Sequence, residues 1–217
     1  MRINQYVATA SGISRRAADR AVAAGQVYIN DILAGVGQSV GEDDVIKLNG
    51  RHITLAQQAT TIIMNKPIGY VCSRNGQGSK TIYDLLPAEF NKLKSVGRLD
   101  KDSSGLLLLT DDGQLANRLT HPSFAKRKIY NVTLNHPLKD VDRRQIEHGI
   151  TLEDGVSSLK LKRLDNDNSW EITMHEGRNR QIRRTFAKLG YDTLTLKRLT
   201  FGDYALSDLS DGSFKIV

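Results

Sequence analysis

Apolar residues return at helical spacing from the start of the chain: Ile3, Tyr6, Val7 and Ala10 predict a first short helix. A second is predicted over Arg15 to Ala24, with Ser14 placed to cap its first turn and Gly25 supplying the left-handed stop. The period then changes from helix to strand. Val27-Tyr28-Ile29 predicts a strand, Asn30-Asp31 a tight hairpin turn, and Ile32-Leu33 the returning strand. After a polar stretch with Glu42-Asp43-Asp44, Val45-Ile46-Lys47-Leu48 predicts one more strand, and Asn49-Gly50 closes the unit. Residues 51–60, Arg51-His52 through Gln57-Gln58-Ala59-Thr60, are polar and aperiodic and are read as a linker.

Beyond residue 60, strand-like runs alternate irregularly with helical ones. The strand candidates are Ile62 to Met64, Leu106 to Leu109, Ile129 to Leu134, Ile172 to Met174 and Thr193 to Leu196. The helical candidates are Gln114 to Leu119, Leu138 to His148 and Arg178 to Leu189. Without repeated strand–helix–strand units, the pattern predicts an α+β fold class with a mixed, mainly antiparallel sheet and flanking helices. The expected domains are therefore 1–50, a helix pair with a hairpin, then the linker 51–60, then a larger domain over 61–217.

Composition narrows the function classes. At 39% hydrophobic and 25% charged residues the 217-residue chain reads as globular, not disordered. No apolar run approaches the ~20 residues that cross a bilayer, and Met1-Arg2-Ile3-Asn4-Gln5 does not open a signal peptide. The lone Cys72 allows no internal disulfide and suits a reducing, cytoplasmic setting. A formal net charge of +7 favours a polyanionic partner, although a merely solubilising surface has the same signature.

Candidate chemistry is restricted by the side chains present. The histidines at 52, 121, 136, 148 and 175 are scattered and show no metal-ligand spacing, and neither a Gly-rich nucleotide loop nor a nucleophile elbow occurs. An enzyme built on this chain is expected to work without metal or cofactor, through carboxylate, Tyr and Arg groups. On the second predicted helix Arg16 and Arg20 lie one turn apart beside Arg15, a face suited to phosphates or simply to solvent. The most distinctive segment is Gly97-Arg98-Leu99-Asp100-Lys101-Asp102-Ser103-Ser104-Gly105, feeding four leucines and then Thr110-Asp111-Asp112-Gly113. Four consecutive leucines fit a strand buried on both faces, which sets the polar loop beside the sheet. Pattern alone does not choose among Asp100, Asp102, Asp111 and Asp112.

The front segments Arg2-Ile3-Asn4-Gln5-Tyr6-Val7, Ser14-Arg15-Arg16-Ala17-Ala18 and Gly25-Gln26-Val27-Tyr28-Ile29-Asn30 resemble an RNA-binding domain first described in a small-subunit ribosomal protein. Asn4-Gln5 stands where that family usually has Asp-Lys, which removes one cation from the expected RNA face. Gly97-Arg98-Leu99-Asp100, with Ser103, Gly105 and the run from Leu106 to Gly113, resembles the catalytic motif of the RsuA/RluB/RluE/RluF family of ribosomal RNA pseudouridine synthases. Three further segments resemble that family in its order: Asn65-Lys66-Pro67-Ile68-Gly69-Tyr70-Val71, Lys128-Ile129-Tyr130-Asn131-Val132, and Glu176-Gly177-Arg178-Asn179-Arg180-Gln181-Ile182-Arg183-Arg184.

The resemblance implies that Asp100 is the catalytic aspartate, that Tyr130 stacks on the target base, and that Arg183 pairs with Asp100. It further implies RNA contacts from Arg2, Arg15, Arg16, Arg20, Arg98, Lys128, Arg178, Arg180 and Arg184. The implied reaction exchanges the N1 glycosidic bond of one rRNA uridine for a C5 bond, with Asp100 acting as a nucleophile or as a base that deprotonates the sugar. The Glu176-to-Arg180 run is closer to members acting on large-subunit than on small-subunit RNA. The expected protein is monomeric, off the membrane, and bound to rRNA or to a ribosomal assembly intermediate. A non-catalytic rRNA-binding or assembly factor is the main alternative, and a base-removing glycosylase a third.

Overall fold

A computed structural model describes residues 1–55 and 59–217, and residues 56–58 of the expected linker lie outside that description. The chain forms two compact units, Met1–Thr60 with Asp111–Gly113, and Thr61–Thr110 with Gln114–Val217.

In the first unit α1 (Ile3–Ser11) and α2 (Arg15–Ala23) precede β1 (Val27–Ile29), β2 (Ile32–Leu33), β3 (Ile46–Leu48) and β4 (Arg51–Ile53). Local chemistry decides most of this. The Ser14 hydroxyl accepts the Ala17 N–H at 3.1 Å, capping α2, and Gly25 turns left-handed at φ +71° after it. Asn30 and Asp31 both take positive φ, the geometry of a two-residue turn between β1 and β2. Ile3, Val7, Ala18, Val22, Val27, Ile29 and Ile46 fill the core. The expected linker begins too early, because Arg51–Ile53 pairs antiparallel with β3 and completes a sheet of order β2-β1-β3-β4. Arg51 and His52 are polar and a single Ile53 sets no period, so pairing rather than pattern makes that strand.

The second unit is built on β5 (Thr61–Lys66), β6 (Lys94–Val96), β7 (Ser104–Thr110), β8 (Lys128–Leu134), β9 (Ile150–Leu152), β10 (Gly155–Ser157), β11 (Lys160–Arg163), β12 (Ser169–Met174), β13 (Thr193–Phe201), β14 (Tyr204–Ala205) and β15 (Phe214–Ile216). Its helices are α3 (Gly113–Thr120), α4 (Asp140–His148) and α5 (Gln181–Ala187). The main sheet runs β11-β12-β8-β13-β7-β5-β15, with β14 on β13 and β6 on β7. Every pairing is antiparallel except β13 with β7, so the fold is α+β with a mainly antiparallel sheet, as the pattern predicts.

The four leucines of β7 are fully buried and divide by alternation. Leu107 and Leu109 join the core formed with Met64, Tyr130, Val132, Trp170, Ile172, Ile182 and Phe186, whereas Leu106 and Leu108 join a second one with Ile63, Val96, Leu119 and Phe201. α5 is shorter than expected: Arg178 to Arg180 continue the helical period in sequence, but Arg180 sits at φ +46° and starts the helix only at Gln181.

One residue sets the spacing at the centre of the sheet. Gly105 pairs with Lys66 on β5 and with Arg198 on β13. A Cβ at Gly105 would lie 2.2 Å from the Arg198 carbonyl oxygen and 2.7 Å from its nitrogen, and its φ is +101°. Gly105→Ala is therefore expected to destabilise the protein by about 3 kcal/mol or more. Urea denaturation measures this, and a loss under ~1 kcal/mol would mean that β7 and β13 separate freely.

Candidate active site

A cavity of about 460 Å³ opens in the second unit, within the size range of small-ligand sites. Its lining includes the Gly97–Asp100 loop, Tyr130, Glu176–Ile182 and Arg198. Six lining residues are Lys or Arg (Arg98, Lys126, Lys128, Arg178, Arg180, Arg198) against two acids, Asp100 and Glu176, which biases the site toward a polyanion.

The loop that carries Asp100 is pinned from inside the fold. Lys66, at the end of β5, is fully buried, and its ammonium donates to the carbonyls of Pro67 at 3.0 Å, Asp100 at 3.0 Å and Ser103 at 2.7 Å. Burial pushes the Lys66 pKa down, partly countered by the carboxylates of Asp100 and Asp102. Ser103 N–H closes the turn onto the Asp100 carbonyl at 3.1 Å, and Gly69 N–H donates to the Lys101 carbonyl at 2.8 Å. Cys72, half-buried below, exchanges contacts with the Leu99 main chain at 3.3 and 3.4 Å. Burial raises its thiol pKa, the opposite of what a nucleophilic thiolate requires.

Asp100, with one third of its side chain exposed, shares this cavity with Tyr130, a β8 residue only 7% exposed. Alternation along β8 places Tyr130, Val132 and Leu134 on the core face. The expected Arg183–Asp100 pair is not the close one. Arg183 donates to the Asp102 carbonyl at 2.7 Å and to the Thr193 carbonyl at 2.7 Å, and its Nε lies 3.4 Å from the Asp102 carboxylate. Arg180 forks onto both Asp102 oxygens at 3.1 and 2.9 Å and approaches Asp100 at 3.8 Å. The turn after Asp100 carries the Asp102 backbone to α5, so Asp102 meets both arginines first.

The remaining basic residues divide by what they touch. Arg98 is exposed at the cavity, and Lys128 is half-buried over the Phe201 ring at 5.1 Å, near the His175 and Lys126 carbonyls. Arg178 and Arg184 instead face the β9–β10 hairpin. Arg184 forks onto Asp154 at 3.0 and 2.7 Å, and Arg178 binds the Asp154 carboxylate and the carbonyls of Asp154 and Val156. Their expected contact with phosphate would have to displace Asp154. In the first unit Arg15, Arg16 and Arg20 are exposed on α2, while Arg2 hydrogen-bonds the Gly37 carbonyl. No group of three or more His, Cys, Asp or Glu is placed to hold a metal ion among the described residues.

Residues 60–188 match the family model described as RNA pseudouridylate synthase. The chain belongs to that family. It is 34% identical to the ribosomal small subunit pseudouridine synthase A of Haemophilus influenzae, over 99% of this chain and 95% of that protein. It is also 34% identical to the ribosomal large subunit pseudouridine synthase B of Bacillus subtilis, over 97% and 89%. A solved structure titled pseudouridylate synthase superposes with a TM-score of 0.71 at 32% identity, covering all of this chain and 96% of the other. The protein is accordingly a pseudouridine synthase, an isomerase. Among the described residues no helix is long and apolar enough to cross a membrane.

Three residues at this candidate site have no role assigned from sequence: Lys66, Asp102 and Arg198. In the sequence Lys66 stands out only as part of the Asn65-to-Val71 run, and Asp102 only as one of four aspartates. Arg198 was detectable in principle, because alternation from Leu196 puts it on the buried face of β13.

The Asp102 pairs make a pH prediction. The Arg180 hydrogen bonds, then the Arg183 charge, hold the Asp102 pKa below its usual value. A depressed carboxylate contributes stability fully above its unfolded pKa of about 3.9 and loses it as pH falls through the folded value. Above pH ~5 Asp102→Asn should thus be less stable than wild type by up to ~1 kcal/mol, screened because the pair is half exposed. The two melting curves should converge on acidification below pH ~4. Melting temperatures from pH 2.5 to 7 test this, and curves that stay parallel would show the pairs contribute nothing.

Proposed function

We propose that this pseudouridine synthase isomerises one uridine of ribosomal RNA, with Asp100 as the catalytic carboxylate and large-subunit RNA as the substrate. The observation that carries the reading is the shared cavity of Asp100 and Tyr130, one a partly exposed carboxylate and the other a buried aromatic wall. The target nucleotide leaves its stack, which costs a few kcal/mol, and Tyr130 receives the extruded base. Arg180 approaches the Asp100 carboxylate at 3.8 Å. Arg183 is a positioning residue, fixing the turn through the Asp102 carbonyl. The preference for large-subunit RNA rests on the run Glu176-Gly177-Arg178-Asn179-Arg180, since the similar enzymes carry names for both subunits.

The first unit is read as an RNA-binding domain that holds rRNA phosphates through the exposed α2 arginines. Arg98, Lys126 and Lys128 do the same beside the cavity. The working place that follows is the cytoplasm, where rRNA or an assembling ribosomal particle is the partner.

Mapping pseudouridines in rRNA from cells lacking the protein tests the main reading. One pseudouridine should vanish, return with wild type, and stay absent with Asp100→Asn, whose rate on purified RNA should fall on the order of 10⁴-fold or more. A rate near wild type for Asp100→Asn would remove Asp100 from the chemistry. For the front domain, replacing Arg15, Arg16 and Arg20 together by Ala should raise KM with kcat unchanged. The slope of log affinity against log salt should flatten by about two to three. An unchanged slope would mean that these arginines face solvent only.

A further inference from the structure

Arg198 is 2% exposed, yet it lines the cavity beside Tyr130. Sheet register fixes its place: it stands opposite Gly105 on β7 and opposite Tyr130 on β8. Directly paired residues share a sheet face, so Lys66, Arg198 and Tyr130 form one row across Gly105. The guanidinium donates through Nε to the Leu106 carbonyl at 2.7 Å and lies over the Phe201 ring at 4.9 Å. Its Nη2 is buried without a hydrogen-bond partner among the described residues. The nearby acids are engaged elsewhere, Asp102 by Arg180 and Arg183, and Asp100 by Arg180.

A structural clamp explains only part of this. A clamp on the β13–β7 pair needs only the Nε bond, and a buried guanidinium left with an unused donor is destabilising unless a further partner arrives. The second buried cation of the row, Lys66, adds to that cost by like charge. The missing partner must be an acceptor, preferably an anion, and must fit beside a tyrosine ring at the buried end of the cavity. The edge of an extruded uracil meets both conditions through its O2 and O4 carbonyls.

Resting on the function proposed above, we infer that Arg198 is a further catalytic residue, donating to a carbonyl oxygen of the extruded base and stabilising the base anion formed in the reaction. The N1–C1′ bond breaks with its electron pair going to the base, where the charge spreads over N1, O2, O4 and C5. The C5–C1′ bond forms with a base electron pair, C5 then gives up its proton, and N1 takes one. The exchange is balanced, with no oxidant or co-reactant. A donor bonded to O2 or O4 is stronger at the anion than at the neutral base, so it lowers the barrier instead of merely tightening binding.

The test uses full-length protein and the RNA that wild type isomerises, so the broader reading is settled beforehand by the wild-type reaction and the loss of activity in Asp100→Asn. Arg198→Met should lower the single-turnover rate roughly 10²- to 10³-fold with little change in RNA affinity. Arg198→Lys, which keeps the charge, should recover at least about tenfold of that loss. With 5-fluorouridine at the target position the departing base anion is already stabilised by fluorine. The Arg198→Met defect, read as disappearance of the fluorinated nucleoside, should then shrink about fivefold or more. Equal defects on uridine and 5-fluorouridine, or Arg198→Lys no better than Arg198→Met, would reduce Arg198 to a clamp between strands and overturn the inference.

Discussion

The geometry of the site depends on one buried ammonium. Lys66 sits where β5 ends, and its three hydrogen bonds reach the main chain on both sides of the Asp100 turn. Burying an unpaired cation costs several kcal/mol, and carbonyl dipoles aimed at it are the compensation the fold provides. The hold acts on backbone, not on a carboxylate, so Asp100 keeps its side chain for the cavity while its carbonyl is fixed. Gly105, one strand over, lets Arg198 approach closely enough for the next cation to join the same row. Position and charge are thus set by the sheet, not by the loop.

Much of the framework was legible because its signals are local. Four leucines in succession read as a two-sided strand since no alternative placement hides them all, and the Ser14 cap, the Gly25 stop and the Asn30-Asp31 turn each follow from one residue's own chemistry. The short strands β4, β11 and β15 were not legible. Their residues are largely exposed, and pairing with distant segments creates them, as when Phe214–Ile216 joins β5. The site shows the same division. Asp100 and Tyr130 were found by resemblance and share a cavity. The ion pairs were not, because the sequence offers two aspartates two residues apart and three arginines within five positions, of which Arg180 and Arg183 meet the aspartates while Arg184 turns to Asp154.

Net charge also read differently once partners were known. Arg178 and Arg184 count toward the +7 of the chain but are held by Asp154, which fastens the β9–β10 hairpin to the start of α5. Gln181 and Thr185 reinforce that joint through the Ser157 hydroxyl at 3.0 and 2.8 Å. A basic segment can therefore be architectural in one half and available in the other. Among the described residues, the cavity cations with no hydrogen bond to a carboxylate are Arg98, Lys126 and Lys128 toward the surface and the enclosed Arg198.

The two signs of charge are also separated by depth. Asp100 is one third exposed, with Arg180 and Asp102 around it, whereas Arg198 is almost fully enclosed next to Tyr130. In the proposed reaction the sugar becomes electron-poor as the base leaves with a pair of electrons. A carboxylate toward the opening and a guanidinium at the enclosed end complement that polarity. Inversion of the two positions would oppose it, since the extruded base is proposed to lie against the tyrosine. Low local dielectric makes the deep charge the more effective of the two. A fixed, enclosed cation also needs no reorganisation when the base charge develops, the condition under which electrostatic stabilisation favours the transition state over the bound substrate.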